Sequence, residues 1–382
     1  METSSEENNH HNHSGEKPNK YIVLAILALS LAGIIYSFSN SEPWVKDAIN
    51  GKVLEVLSEK ETILELGIGK KSNIVKEQDL LVEIMAGKEK KVITVFNDYK
   101  PVSKDSQIFV SESLFGDSEF SVVNISRAKE LVLLLIFFIF LVILTSGWKG
   151  FYSLIGLFFT FAVIFTFIVP QILNGVSPVG VGIIGAAIIL IPILYLSYGL
   201  NKKSIAAFLG IILALLFVGV IANYFIGTLQ FTGFSSELSV YLGMETKNTI
   251  NFIGLIIAGI IIAAVGVLDD VAVIQSSVVF SLTKANPNLR GFKLFKEAMR
   301  VGKDHISAVV NTLVLAYTGA SLPLIILLYL RKMPTDYFIS LEMVAEEIAR
   351  TLISSSGLLL AVPLTTIIAT IMVSRNYKKE KI

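Results

Sequence analysis

The hydrophobic rhythm of the chain changes sharply along its length. Residues 1–20 are polar and carry no aliphatic pattern from which a core could be built, so they read as a disordered tail. Tyr21–Phe38 is then an unbroken apolar run preceded by Lys17 and Lys20, long enough to span a bilayer as an anchor. The small-x-small sequence Ser37-Phe38-Ser39 leaves a cleaved signal peptide as the alternative. From Asn40 to Arg127 the pattern shortens to alternating β-branched segments. Gly51–Leu57, Thr62–Leu66, Leu80–Met85, Val92–Phe96, Gln107–Val110 and Phe120–Ile125 predict six strands, hence a small barrel or sandwich.

Beyond Lys129 and Glu130 the rhythm becomes that of spanning helices. Runs at Leu131–Ser146, Phe151–Val169, Val179–Tyr198, Ile205–Ile226, Ile250–Leu268, Ile306–Leu330 and Thr351–Val373 predict seven spans between residues 131 and 373, followed by a basic tail at 374–382. The expected fold is therefore an α-helical polytopic membrane protein of about eight transmembrane helices with a small all-β extracytoplasmic domain. Charge orients it. With both termini in the cytoplasm, the inner segments hold Lys149, Lys202, Lys203, the bases between Lys284 and Lys303, and those from Arg375 to Lys381. The short outer loops hold only Lys247, Arg331, Lys332 and Arg350, as the positive-inside rule requires of a multi-pass cell-membrane protein.

Composition narrows the chemistry. A net charge of +1 gives no electrostatic basis for a nucleic-acid partner, and the absence of cysteine removes disulfides, thiolate metal sites and cysteine nucleophiles. There is no Walker glycine loop, no helical HExxH and no serine–histidine–aspartate set, so no enzyme and no cofactor are expected. His10, His11 and His13 could bind a metal, but a flexible tail supplies no orienting carboxylate, so the tract reads as incidental. The implied partners are the lipid bilayer, a small solute or ion, and membrane partner subunits.

Function is best sought between Ile250 and Thr318. Ile250–Thr283 would make about 51 Å of straight helix, too long for one span, so a break is expected near Asp269-Asp270. Counted from Ile250, these carboxylates come after about 29 Å of rise, close to the cytoplasmic face, and Asp304 enters at the same level. Arg300 and Lys303 are candidate counter-ions. Two polar stripes lead inward, Asp270, Ser277 and Ser281 on one helix and Asp304, Ser307, Asn311 and Thr318 on the next. They would suit a hydrated pathway, whereas the competing structural reading makes Asp269-Asp270 the N-cap of a second, interfacial helix. Lys293–Lys303 reads as an amphipathic helix on the inner leaflet, with gating as the sharper alternative. Glu342, Glu346, Arg350 and Ser354 share a helical face, and the glutamates are expected to be solvated. Gly180, Gly182, Gly185, Gly254 and Gly259 read as close-packing positions, and Pro323 as a break in a helix.

Several segments together resemble the YibE/F-like family of multispanning bacterial membrane proteins. They are Gly266-Val267-Leu268-Asp269-Asp270-Val271-Ala272-Val273, Asn286-Pro287-Asn288-Leu289, Gly302-Lys303-Asp304-His305-Ile306, Asn311 through Pro323, and Glu347-Ile348-Ala349-Arg350-Thr351 through Ala361-Val362-Pro363-Leu364-Thr365-Thr366. The resemblance covers the C-terminal half and, more loosely, the layout before it. It implies a permease-like membrane protein with no assigned substrate and no catalytic residues to carry over; Asp270, Asp304, Asn311 and Glu347 are candidates only. Three function classes follow: a permease or transporter of a small solute or ion, a non-transporting scaffold or sensor whose β domain binds a ligand or envelope partner, and an intramembrane aspartyl protease. The third needs two facing aspartates deep in the bilayer, which the expected depths of Asp270 and Asp304 disfavour.

Overall fold

The computed structural model describes residues 19–39, 48–65, 72–86, 89–112, 119–247, 249–331 and 334–379. The tail at 1–18, with its histidines, lies outside the described residues, as does the end of the basic tail. The chain divides into two compact units, residues 40–145 and the remainder.

The smaller unit holds the β domain. Five strands, not six, are formed: β1 Ile49–Glu65, β2 Ser72–Ala86, β3 Glu89–Asn97, β4 Gln107–Glu112 and β5 Phe120–Ile125. The segments expected at Gly51–Leu57 and Thr62–Leu66 join in one strand as far as Glu65, Leu66 lying outside the described residues. Ser58–Glu61, where the sequence suggested a turn, pair in regular register with Asp79–Lys76, and the strand's irregularities fall earlier, between Val53 and Glu55 and between Val56 and Ser58. The strands close in the order β1-β2-β3-β5-β4, with β3 and β5 parallel, the connectivity of an OB-type barrel. Its core is Val53, Leu80, Val82, Val95, Ile108 and Val110, every second residue on its strand. Gln78 and Asn97 are buried beside it and satisfy each other and the backbone of Lys100 and Val102, so the polar pair closes one end of the barrel without an unpaired group.

The larger unit is helical. Its elements are α1 (Lys20–Ser39), the second half of α2 (Ala128–Val163), a π-turn at Ile164–Ile168 leading into α3 (Val169–Leu173), α4 (Pro178–Tyr198), α5 (Lys202–Thr228), α6 (Glu237–Glu245), α7 (Phe252–Ala285), α8 (Gly291–Ala320), α9 (Leu322–Arg331), α10 (Thr335–Ser340) and α11 (Glu342–Lys379). The helix starts follow local chemistry. Asn201 accepts from the amides of Lys203 and Ser204, Ser236 and Ser239 form a capping box, and Asn251 accepts from Gly254. Gly147, with φ 54 and ψ −136, breaks α2 between the runs predicted to be two spans. Among the described residues five helices are long and apolar enough to cross a bilayer, or six if α8 and α9, bent by 67° at Ser321, form one. The bend falls just before Pro323, where the sequence placed it.

Three expectations are corrected here. α7 runs without a break through Asp269 and Asp270, because no residue from Phe252 to Ala285 is a proline and the apolar face continues through Leu268, Val271, Ala272 and Val279. Its N-cap is Asn251, so the aspartates cap nothing. Lys293–Lys303 is not a separate surface helix. It is the first half of α8, held to the bundle by Leu294 and Ala298, which pack with Ala206, Val279 and Ala369. α11 continues as helix into the basic tail, to Lys379.

Close contacts fix the register of the bundle. The ideal Cβ of Gly182 would sit 3.4 Å from Ala258, and further along both helices Ser197 and Asp269 line one cleft, so the two helices run parallel. Ser276 bonds Lys203 at one end of α5 and Gly219 faces Ile261 at the other, so α5 is antiparallel to α7. Gly210 abuts Thr365 and Gly357 abuts Val218, making α5 antiparallel to α11 as well. α4, α7 and α11 thus point one way and α5 the other, with glycines at the tightest crossings.

Candidate functional site

Between the second half of α2, α4 and α7 lies a cleft of about 270 Å³. Ser153, Gly156, Leu157 and Thr160 line it from α2, Ala186, Ile189, Ile193 and Ser197 from α4, and Ile262, Val265, Gly266 and Asp269 from α7. Successive turns of each helix contribute, so the wall has two distinct ends. Ser153, Ser197 and Asp269 stand at one, and Thr160, Ala186 and Ile262 at the other, with isoleucines between. Gly266 widens the cleft, since a Cβ there would meet nothing within 4 Å.

Asp269 is half-buried, and its carboxylate accepts the backbone amide of Asp270 at 2.9 Å. No Lys, Arg or His reaches it within ion-pair distance among the described residues. Its level follows from the register. Ser276 donates to the Lys203 carbonyl at 2.9 Å, and Asp269 lies two turns, about 10 Å, further into the bundle. The count of rise from Ile250 put the carboxylates near the cytoplasmic face; along α7 Asp269 stands about 10 Å from the level of the Lys203 carbonyl.

Other candidates are distributed differently from the expected single mouth. Asp270 is exposed beside Asp269. Ser277 and Ser281 line a shallower groove of about 480 Å³ with Tyr198 and Ile274, so the α7 stripe does border open space. The α8 stripe does not face it. Gly302 abuts Val362 and Gln275, and together with Leu294, Ala298 and Leu313 it occupies the packed face of α8. Asp304 and Asn311, each two residues from a packed position, are turned roughly 200° away and are exposed, as is Thr318. Arg300 pairs with Glu297 at 3.3 Å, and neither it nor Lys303 pairs with Asp270 or Asp304 among the described residues.

A second polar cluster lies toward the opposite end of α7. The Glu342 carboxylate accepts from the amides of Thr232 and Gly233, at 2.7 and 2.9 Å, and from the Thr232 hydroxyl. Glu346 accepts from Ser235 Oγ at 2.5 Å and from Arg350 Nη2 at 2.7 Å, while Glu347 lies 3.6 Å from Arg350 Nε. Glu342 and Glu346 are half-buried ties between α11 and the 232–235 loop, and Glu347 pairs with Arg350 along α11, so they are not the solvated face expected. Charges beyond an apolar run gave no hint that a preceding loop would fold back onto them. Gly259 leaves room for the guanidinium, its ideal Cβ lying 3.2 Å from Arg350 Nη1.

Sequence reasoning missed Gln275, whose amide donates to Thr366 Oγ1 at 2.7 Å and to the Ala298 carbonyl at 3.1 Å, joining α7, α8 and α11. A lone glutamine in an apolar run was its only signal. Ser153, Thr160 and Ser197 were also missed, because each becomes notable only when three helices converge. No cluster of three His, Cys, Asp or Glu able to hold a metal exists among the described residues.

Five long apolar helices among the described residues, packed closely at glycines, mark a multi-pass membrane protein of the helical-bundle class. A family model described as YibE/F-like protein matches residues 134–375, and the chain belongs to that family. No curated protein and no solved structure matches it.

Proposed function

We propose that the protein is a permease of a small solute or ion, with the α2–α4–α7 cleft as its binding site and Asp269 as the group that recognises the cargo. The observation that carries this reading is a carboxylate with no cationic partner among the described residues, at the polar end of a mostly apolar cleft, since intramembrane ionisable groups are costly and are retained where a pathway needs them. The exposed α8 stripe of Asp304, Asn311 and Thr318 is then a surface for hydration or a partner subunit.

The topology that goes with it has eight crossings in the cell membrane. α1, the two halves of α2 parted at Gly147, α4, α5, α7, the α8–α9 pair and α11 supply them, with both termini in the cytoplasm and the barrel outside. Antiparallel α5 against parallel α4, α7 and α11 supports this alternation, as does the concentration of Lys and Arg at one set of helix ends.

Comparison of solute and ion contents between cells lacking and cells overproducing the protein tests this. At least one solute should shift in opposite directions in the two strains, and an Asp269→Asn variant of equal abundance should abolish the shift. Identical profiles for wild type and variant would overturn the assignment. The barrel favours a second reading, a sensor or scaffold, because OB-type barrels commonly bind oligomeric ligands; this is analogy of fold alone. Deleting residues 50–120 would then abolish the cellular effect, whereas a permease would keep part of it.

A further inference from the structure

The two ends of the cleft differ in chemistry, and that difference specifies a ligand class. We infer that the cleft binds a small organic monocation, an ammonium group on a compact apolar body, with the charge at Asp269 and the body among the isoleucines. The inference rests on the permease reading for its physiological use, but not for the binding itself.

Four observations converge. At the polar end one carboxylate is available without a side-chain cation of its own, and Ser153 and Ser197 stand at the same level as further oxygen acceptors. An ammonium carries three donors, and three oxygens match it. Beyond that end the walls are Gly156, Leu157, Ile189, Ile193, Val265 and Gly266, which offer nothing polar to a second charge and exclude a zwitterion or dication. Thr160, at the far end, spends its hydroxyl hydrogen on the Gly156 carbonyl, 3.0 Å away. Thr160 therefore offers no donor to an anionic group there, and the isoleucines beside it favour an aliphatic far end of the ligand.

Inorganic cations fit less well. A hard divalent ion takes about six to eight oxygen ligands, whereas a single carboxylate and two hydroxyls leave most of its shell unfilled. An alkali ion would gain nothing from the apolar two-thirds of the wall. Size sets the upper bound, since about 270 Å³ lies below the roughly 300–1,000 Å³ typical of drug-sized ligand sites.

Cyclohexylammonium, with cyclohexanol and cyclohexanecarboxylate as neutral and anionic shape-mates and sodium chloride as an inorganic control, is a suitable probe set. Thermal unfolding of the purified full-length protein in detergent gives the readout. The ammonium should raise Tm saturably, and the other three should not. Asp269→Asn should weaken the apparent affinity at least about tenfold, while Asp270→Asn, next to it but outside the cleft lining, should respond like wild type. Gly266→Leu, which adds volume where a side chain meets nothing, should keep its basal Tm yet lose the response. Equal stabilisation by cyclohexanol or sodium, or an undiminished response in Asp269→Asn with Gly266→Leu, would overturn the inference. The two claims fail separately. A neutral or anionic solute changing in the cellular profiles would leave the permease standing and remove the cation, and ammonium binding without any transported solute would do the reverse.

Discussion

Ser276 Oγ, in the second half of α7, donates to the backbone carbonyl of Lys203 at the start of α5, 2.9 Å away. That bond sets the register of two antiparallel helices and, with it, the depth of Asp269, two turns further in. It also ties the level of the carboxylate to the Lys202-Lys203 pair, a marker of the inner interface under the proposed topology.

Gly210 is the most crowded glycine of the bundle, because a Cβ there would overlap Thr365 Oγ1 and lie 2.9 Å from the Thr365 backbone. Gly210→Ala should lower Tm in detergent, at a cost of about 1–3 kcal/mol for overpacking. Gly180→Ala, where a Cβ meets nothing, should be neutral or should stabilise by up to about 1 kcal/mol through helix propensity.

Adjacent threonines on α11 should behave oppositely. Thr366 Oγ1 accepts from Gln275, whereas the buried Thr365 hydroxyl has no hydrogen-bond partner among the described residues. Thr366→Val leaves the Gln275 amide short of an acceptor and should cost about 1–2 kcal/mol. Thr365→Val removes an unpaired hydroxyl from an apolar crossing and should leave stability unchanged or raise it by a similar amount. Denaturation in the same detergent separates them.

Arg350→Ala should be among the most damaging single changes in the second cluster. The Glu346 side chain is only 12% exposed and would lose its guanidinium partner, an effect of about 3 kcal/mol. Arg350→Lys should recover part of it, having charge but no bidentate fork. Loss of Tm in Arg350→Ala, with partial rescue in the double variant Arg350→Ala/Glu346→Gln, checks the pair directly.

The long apolar helices, the small β domain and the Pro323 break were legible because each rests on local periodicity or punctuation: runs of apolar residues, alternation along the strands, a proline. What escaped were features that depend on which helix lies beside which. Asp269 and Asp270 looked alike in sequence, yet α7 turns one into a cleft and the other outward, and only the neighbouring helix α4 distinguishes them. The α8 stripe shows the same limit. Its seven-residue repeat is real, but Gly302 and Ala298 claim the packed face, so the polar residues look away from α7.

The proposed orientation is open to labelling in a protein without cysteine. Lys91→Cys on the barrel should react with an impermeant thiol reagent in intact cells, and Asn288→Cys in the exposed turn between α7 and α8 should react only after permeabilisation. The reverse pattern would invert the topology.

The account stands most directly on whether the α2–α4–α7 cleft is a hydrated, cation-preferring site, and Gly266→Cys measures that. In sealed membranes of both orientations, reaction of this cysteine with cationic and anionic methanethiosulfonates of equal size should proceed from at least one side, faster for the cationic reagent. The preference should disappear when Asp269→Asn is added. A Gly266→Cys protein that reacts from neither side, or reacts equally with both reagents whether or not Asp269 is present, would contradict the claim that this carboxylate governs entry to the cleft.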